Sequence, residues 1–371
     1  MSNPHHATPG GKTRARALGV PFDGTPGPNN AITDVAGIEV GYQTIIRGDG
    51  PLVVGQGPVR TGVTAILPRG RAGAAAPCFA GCFSLNGRGE FTGMHWVEEG
   101  GQCEGPITIT NTRSCGAAYD ATLRWLLANC DDLSPSWGLP IVGETHDGIL
   151  NDIDGFHVTA EHVFAAIDAA RGGAIEQGSV GGGTGMVTYD FKGGSGSASR
   201  VVAAAGERYT VGAFVQSNFG VRSELVVAGV PVGRHITGGE VRTRPGSSII
   251  AIAATDAPLL PHQCKRLARR IGLGVGRSGS VSHNGSGDIF LAFSTANRES
   301  FQGGHHARPA ACLPNDALNP IFEAVVQATD EAIVDSMVAN ETMTGRDDTT
   351  VLALPHDRLR ELLATYNRTA D

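Results

Sequence analysis

The 371-residue sequence predicts an α/β fold in which sheets are flanked by helices. Three observations lead there. The run Ile249 to Thr255 is apolar on both faces, so both faces need cover. Four segments repeat apolar residues at helical spacing and can supply that cover. Glycine contributes 53 residues, near twice the usual share of about 7%, which points to tight turns and close backbone packing.

Residues 1 to about 16 are polar and predict a flexible arm. Turn residues Gly24, Pro26, Gly27 and Pro28 lead into a predicted strand over residues 36–42, and residues 61–67 predict a second one ended by Pro68. The Gly-rich stretch 69–112 gives no clear element. Helices are predicted over 117–129, with Tyr119, Leu123, Leu126 and Leu127 on one face, and over 159–171, opened by Thr159 and closed by Gly172-Gly173. Two more are predicted over 261–270, opened by Pro261, and over 319–339, where Asn319 reads as a cap before Pro320. Strands are predicted over 186–191, 200–204, 209–216, 249–255 and 288–294. The segment 233–246 is polar, Gly-rich and basic, and predicts an exposed linker feeding a core strand. Chain cleavage there does least harm to packing.

Composition excludes several classes. The net charge is −7 and no basic stripe is interleaved with aromatics, which argues against a nucleic-acid partner. The basic run 265–270 falls on a helical pattern and reads as a solvated face. No apolar run approaches the roughly 18 residues of a membrane span, and the first twenty residues lack the apolar core of a signal peptide. The seven scattered cysteines include no Cys-x-x-Cys pair; reduced thiols and a cytoplasmic address are the expectation.

Common catalytic motifs are missing: there is no Gly-x-Ser-x-Gly elbow, no Walker loop and no His-Glu-x-x-His. Gly272-Leu-Gly-Val-Gly276 follows a helix rather than a strand and makes a poor dinucleotide site. Gly181-Gly-Gly-Thr-Gly185 enters a strand with no helix behind it, so a tight turn explains it better than a phosphate cradle. The histidines do not cluster with ligand spacing.

Chemistry is sought instead where polar residues stop at Ser247-Ser248 and the buried strand begins. Alone, these hydroxyls read as a turn capping a strand. The alternative makes Ser248 a nucleophile without a histidine partner. Its hydroxyl attacks the preceding carbonyl, the peptide becomes an ester, and water splits it. The freed α-amine, with an ordinary pKa of about 7.7–8.0, then serves as base. Two other stretches fit that chemistry. Ser286 and Asp288 are two apart and share a face if extended, where a carboxylate can orient a hydroxyl proton. Asn218 ends an apolar strand, where an amide can donate to an oxyanion. Each also has a plain structural explanation as a turn or a strand cap.

The stretches LGVPFDGTPGPNNAITDVAGIEVG, GPVRTGVTAILPRG, GETHDGILND, GSVGGGTGM, VQSNFG, SIIAIAATDAPLLPHQ, NGSGDIFLAFSTAN and ETMTG together resemble the L-aminopeptidase/D-amidase-esterase family, which is close to the β-peptidyl aminopeptidases. The resemblance runs through nearly the whole chain. It implies one domain over residues 1–371, a four-layer αββα sandwich like that of N-terminal nucleophile hydrolases but with different strand connectivity. It implies self-cleavage between Ser247 and Ser248 into chains 1–247 and 248–371 that stay together, as a tetramer of such pairs. Ser248 falls on the family's nucleophile, Ser286 and Asp288 on its partners, Asn218 on the oxyanion amide, and Glu144 on the residue that holds the substrate ammonium. The implied substrate is a small peptide, amide or ester with a free N-terminal amine, carrying D-Ala, L-Ala, Gly or a β-amino acid. No metal or cofactor is implied.

Two positions depart from the family. Ser247 precedes the nucleophile where relatives have Gly or Asn, and the register before the apolar run selects Ser248. His146 stands where relatives carry Tyr or an apolar residue. Two rival functions remain at this level. One is an acyltransferase like ornithine acetyltransferase, a family that uses Thr where this chain has Ser248. The other is a non-enzymatic small-molecule binding protein built on the 178–185 loop.

Overall fold

Two sheets stacked face to face carry helices on their outer sides. The computed structural model describes residues 3–130, 138–242, 248–302 and 306–370. Its strands are β1 (Glu39–Arg47), β2 (Val59–Leu67), β3 (Cys78–Gly87), β4 (Gln102–Cys103), β5 (Ile107–Asn111), β6 (Ile141–Thr145), β7 (Val187–Thr188), β8 (Phe191–Lys192), β9 (Gly194–Ala204), β10 (Glu207–Asn218), β11 (Ser248–Thr255), β12 (Gly287–Ser294) and the short pair β13 (Met343–Thr344) and β14 (Thr350–Val351). The smaller sheet has the order β1-β2-β5-β6, and the larger has β4-β3-β12-β11-β10-β9. Strand β11 is therefore interior, parallel to β12 on one side and antiparallel to β10 on the other.

The helices are α1 (Met94–Gly100), α2 (Cys115–Asn129), α3 (Ala160–Asp168), α4 (Val232–His235), α5 (Pro261–Arg277), α6 (Asn319–Val338) and α7 (His356–Thr365). Helices α2 and α3 cover the outer face of the smaller sheet, with Ala118, Trp125 and Ile167 against Val63, Ala65 and Val142. Helices α5 and α6 cover the larger one, with Leu267, Ile271, Val325 and Ile333 beside Ile249, Ala251 and Phe290. Between the sheets, Ile250, Ile252 and Leu291 meet Ile66, Ile107 and Ile141. The odd residues of β11 thus face helices and the even ones face the other sheet. This is why the strand is apolar throughout, and the αββα order follows.

Several expectations are corrected. The N-terminal arm is packed rather than loose by Arg14, whose guanidinium meets Asp335 at 2.6 Å and is buried. The helix predicted to end at Arg270 continues through the glycines to Arg277. At Gly274 a side-chain carbon would come within 2.6 Å of Thr329 Cβ, so α5 and α6 need glycine to approach each other. The strand predicted over 186–191 is a hairpin of β7 and β8, turned by Tyr189 and Asp190 at φ of 52° and 59°. Asn319 is the first residue of α6, and no side chain caps that helix. Strands β3 and β5 occupy part of the stretch that gave no element, and β6 was not predicted. The turn Gly181–Gly183 is buried, its amides spent on Thr44 and Thr64 hydroxyls, as expected of a tight turn rather than a phosphate cradle. No helix among the described residues is long and apolar enough to cross a membrane.

Candidate active site

Ser248 opens β11 and is buried, paired with Asn218 at the end of β10 and with Gly287 at the start of β12. Its Oγ accepts from the Gly287 amide at 3.3 Å. Ser248 is in phase with Ile250, so its side chain points toward the smaller sheet. Glycine at 287 lets the backbone of Arg88 and Gly89 pack close beside the hydroxyl; a side-chain carbon there would collide with it.

Asp288 is in phase with Phe290 and turns to the opposite face, against the helices. It lies beside the backbone of Ser248 and Ile249 rather than beside the Ser248 hydroxyl: Asp288 pairs with Ile249 in the ladder and accepts from the Ile249 amide. Ser286 donates to Asp288 Oδ1 at 2.6 Å and Ser282 donates to Oδ2. Burial pushes the Asp288 carboxyl above its ordinary range, and these donors pull it back. The Ser286–Asp288 pair therefore sits against the backbone at the start of β11.

Asn218 is held on both sides of its amide. The Val187 N–H donates to Oδ1 at 2.8 Å, and Nδ2 donates to the His146 carbonyl at 2.9 Å. A primary amide has two N–H donors, and among the described residues only one of them, to His146, has a partner; Ser248 stands directly across the ladder. The unusual residue His146 contributes its backbone here.

Glu144 comes from the other sheet, on β6. It is buried, with the Glu90 amide donating to Oε1 at 2.9 Å and the Thr112 hydroxyl donating to Oε2. Burial raises its pKa, which those donors oppose. Gly89 lies between Glu144 and the Ser248 pairing: a side-chain carbon at Gly89 would stand 3.2 Å from Glu144 Oε1 and 3.4 Å from Gly287 Cα. Of the five sequence-predicted residues, Asn218 and Ser248 face the smaller sheet, Gly89 links that place to the Glu144 carboxylate, and Ser286 with Asp288 lies on the helix side of β12, against the backbone at the start of β11. Ser247 lies outside the described residues.

Sequence reasoning missed the supports. Thr112 and Glu90 hold Glu144 across 32 and 54 residues, and Val187 holds Asn218 across 31. No local pattern marks such partners.

A hydroxyl at the mouth of an interior strand, with an amide across the ladder and an αββα frame around it, defines a hydrolase of the N-terminal-nucleophile-like fold. The chain belongs to peptidase family S58, whose model matches residues 30–351, and it is an aminopeptidase of that family. It is 52% identical to a β-peptidyl aminopeptidase of Sphingosinicella microcystinivorans, covering 96% of this chain and 93% of that one. Among solved structures, the L-aminopeptidase D-Ala-esterase/amidase of Ochrobactrum anthropi superposes with a TM-score of 0.88 at 46% identity, covering 96% of this chain and 99% of that one. That enzyme is described as a prototype for the serine aminopeptidases and a new variant of the Ntn hydrolase fold. A β-aminopeptidase of Burkholderia sp. gives a TM-score of 0.86 at 44% identity, over 95% and 99% of the two chains.

Proposed function

We propose that the chain cleaves itself before Ser248 and then releases small N-terminal residues (D-Ala, L-Ala, Gly or a β-amino acid) from peptides, amides and esters. The observation that carries this reading is the position of Ser248, first residue of an interior strand, with Asn218 opposite it and the Ser286–Asp288 pair beside its backbone.

Maturation is an acyl shift. The Ser248 oxygen bonds to the Ser247 carbonyl carbon, the Ser247–Ser248 C–N bond breaks, and the hydroxyl proton ends on the freed nitrogen. Water then hydrolyses the ester, leaving a carboxylate on Ser247 and the hydroxyl on Ser248. Both β11 and β12 belong to the smaller chain, yet they lie between β3 and β10 of the larger, so separating the products would break the sheet. The two chains stay together for that reason.

In turnover the new α-amine takes the Ser248 proton as Oγ attacks the scissile carbonyl, with Ser286 and Asp288 orienting the amine. The remaining Asn218 N–H donates to the oxyanion. The leaving amine departs with the proton, and water releases the acyl residue from Ser248. Glu144 holds the substrate's ammonium, which confines cleavage to the terminal residue and makes N-blocked substrates leave a buried carboxylate unpaired.

The test is release of p-nitroaniline from D-alanyl, L-alanyl, glycyl and β-alanyl anilides, each with a free and an acetylated amine. The free-amine compounds should be cleaved at least about 100-fold faster in kcat/KM. Equal turnover of the acetylated ones would remove the ammonium site from the mechanism.

A further inference from the structure

The hairpin of β7 and β8 is laced to the end of β10 by three successive residues. The Val187 amide donates to Asn218 Oδ1 at 2.8 Å, the Thr188 hydroxyl to the Ser217 carbonyl at 2.8 Å, and the Tyr189 amide to the Phe219 carbonyl at 2.7 Å. Lys192 holds the same hairpin from within. It is fully buried, and its Nζ donates to the Met186 carbonyl at 2.9 Å and to the Gly193 carbonyl at 2.6 Å.

No carboxylate among the described residues pairs with that amine, and burial without a counter-charge pushes its pKa well below the ordinary range. A neutral amine has two N–H groups, and the two carbonyls take both. Neither carbonyl depends on Lys192 for a partner. Met186 O also accepts from the Gly193 amide at 3.0 Å, and Gly193 O from Asn340 Nδ2 at 3.0 Å. An apolar side chain of similar volume would therefore leave no acceptor bare, and it would spare the cost of burying an amine. Packing alone does not account for a lysine here.

The Met186 carbonyl and the Val187 amide belong to one peptide unit. That unit accepts from Lys192 at its oxygen and donates to Asn218 at its nitrogen. Asn218 Nδ2 in turn donates to the His146 carbonyl at 2.9 Å. Hydrogen bonds in series polarise one another in a low-dielectric interior. Asn218 Oδ1 takes a second, longer bond from Arg242 at 3.2 Å, so the Val187 amide is its nearer donor.

We infer that Lys192 is a positioning residue for the Asn218 amide: it fixes and polarises the 186–187 peptide, and that peptide sets the direction of the Asn218 side chain across the ladder from Ser248. The inference rests on the oxyanion role proposed above for Asn218 and adds to it a residue that touches no substrate. Lys192 acts at the far end of the hydrogen-bond series, so its loss turns the donor rather than removing it. Turnover should fall by part of what the donor itself is worth, with substrate binding unchanged.

The experiment measures kcat, KM and Tm of wild type, Lys192→Met, Lys192→Gln, Asn218→Ala and the double variant Lys192→Met/Asn218→Ala on the free-amine anilides, with turnover expressed per cut chain. Lys192→Met should lose about tenfold in kcat, a fraction of the 10²–10³ expected for a lost oxyanion donor, with KM within about twofold. Its Tm should stay within about 2 °C of wild type or rise, because a buried amine has been replaced by an apolar chain. Lys192→Gln keeps an NH2 at shorter reach and should fall between the two; it carries the same comparison if the Met variant does not fold. In the Asn218→Ala background, Lys192→Met should change kcat by less than about twofold, since the series then ends on a missing amide. Wild-type kcat in Lys192→Met, a loss that only tracks a fallen Tm, or the same tenfold loss without Asn218 would each overturn the inference. A folded Lys192→Met chain that never cuts would overturn it too, by placing the lysine in maturation. Wild-type kcat in Asn218→Ala is a different failure: it removes the oxyanion role on which the inference rests.

Discussion

Asn218 stands directly across the antiparallel ladder from Ser248, the last residue of β10 against the first residue of β11. Each residue ends its strand at the same edge of the larger sheet. The amide is locked by Val187 and His146, so under the proposed mechanism its second N–H serves the oxyanion without the entropy of a mobile side chain.

Replacing that amide should therefore strike the rate more than the binding. Asn218→Ala should lower kcat by about 10²–10³ with little change in KM, in the range measured for a lost oxyanion donor. Asn218→Asp should be worse, because a carboxylate oxygen would face the His146 carbonyl and repel the oxyanion. Steady-state kinetics on the anilides decide this; unchanged kcat in Asn218→Ala would move the oxyanion donor elsewhere.

Under the proposed mechanism Glu144 serves the second reaction only. Glu144→Gln keeps the shape and can still accept from the Glu90 amide, its NH2 then donating to the Thr112 hydroxyl oxygen, but it loses the charge. It should reduce kcat/KM on free-amine substrates by about 100-fold. Self-cleavage presents no ammonium and should proceed. Gel analysis beside the anilide assay separates the two; equal loss of both would make Glu144 a structural residue.

Gly89 sits in the narrow place between Glu144 and Gly287. Gly89→Ala would put a methyl 3.2 Å from the carboxylate, so the ammonium pocket should shrink and KM should rise about tenfold with Tm nearly unchanged. Normal KM with a free-amine substrate would show that the pocket opens elsewhere.

Asp147, next to His146, is fully buried, and one carboxylate oxygen has no hydrogen-bond partner among the described residues. Burial pushes its pKa up to about 7. The folded carboxyl thus holds a proton that the unfolded one, near 3.9, has already lost, and stability falls as pH rises from about 4 to about 7. Above that window the whole cost of the buried charge is present, at most about 4 kcal/mol. Asp147→Asn removes it: the variant should match the wild type at pH 4 and gain in Tm over it at pH 8. A Tm difference that does not change with pH would show Asp147 ionised in the fold.

Much of this was readable in advance. The apolar run of β11 marked an interior strand because every one of its residues is buried on one face or the other. The position of Ser248 at its mouth followed. Glu144 was reached only through family resemblance, since β6 is five residues long and shows no alternation that would expose it as a strand. The glycines of α5 read as a stop because intrinsic propensity opposes them in a helix, while the packing of Gly274 on Thr329 overrides that preference. Arg14 looked like part of a polar arm, but its partner Asp335 lies 321 residues away, beyond any local pattern. Arg242, whose guanidinium donates to Asn218 and to the carbonyls of Val187 and Gly220, was hidden in the same way: a basic residue in a Gly-rich segment looks solvated until its acceptors are known.

The central claim is that Ser248 becomes the first residue of a chain and works from there. Edman sequencing of the smaller band of purified protein tests it. That band should hold the 124 residues from 248 to 371 and begin Ser-Ile-Ile-Ala-Ile. Ser248→Ala should remain one inactive chain, Ser247→Ala should still cut, and Ser248→Cys should cut slowly because a thiol also supports the acyl shift. A smaller chain beginning Ser-Ser-Ile would move the nucleophile to Ser247, and an uncut wild-type chain with full activity would contradict the α-amine base outright.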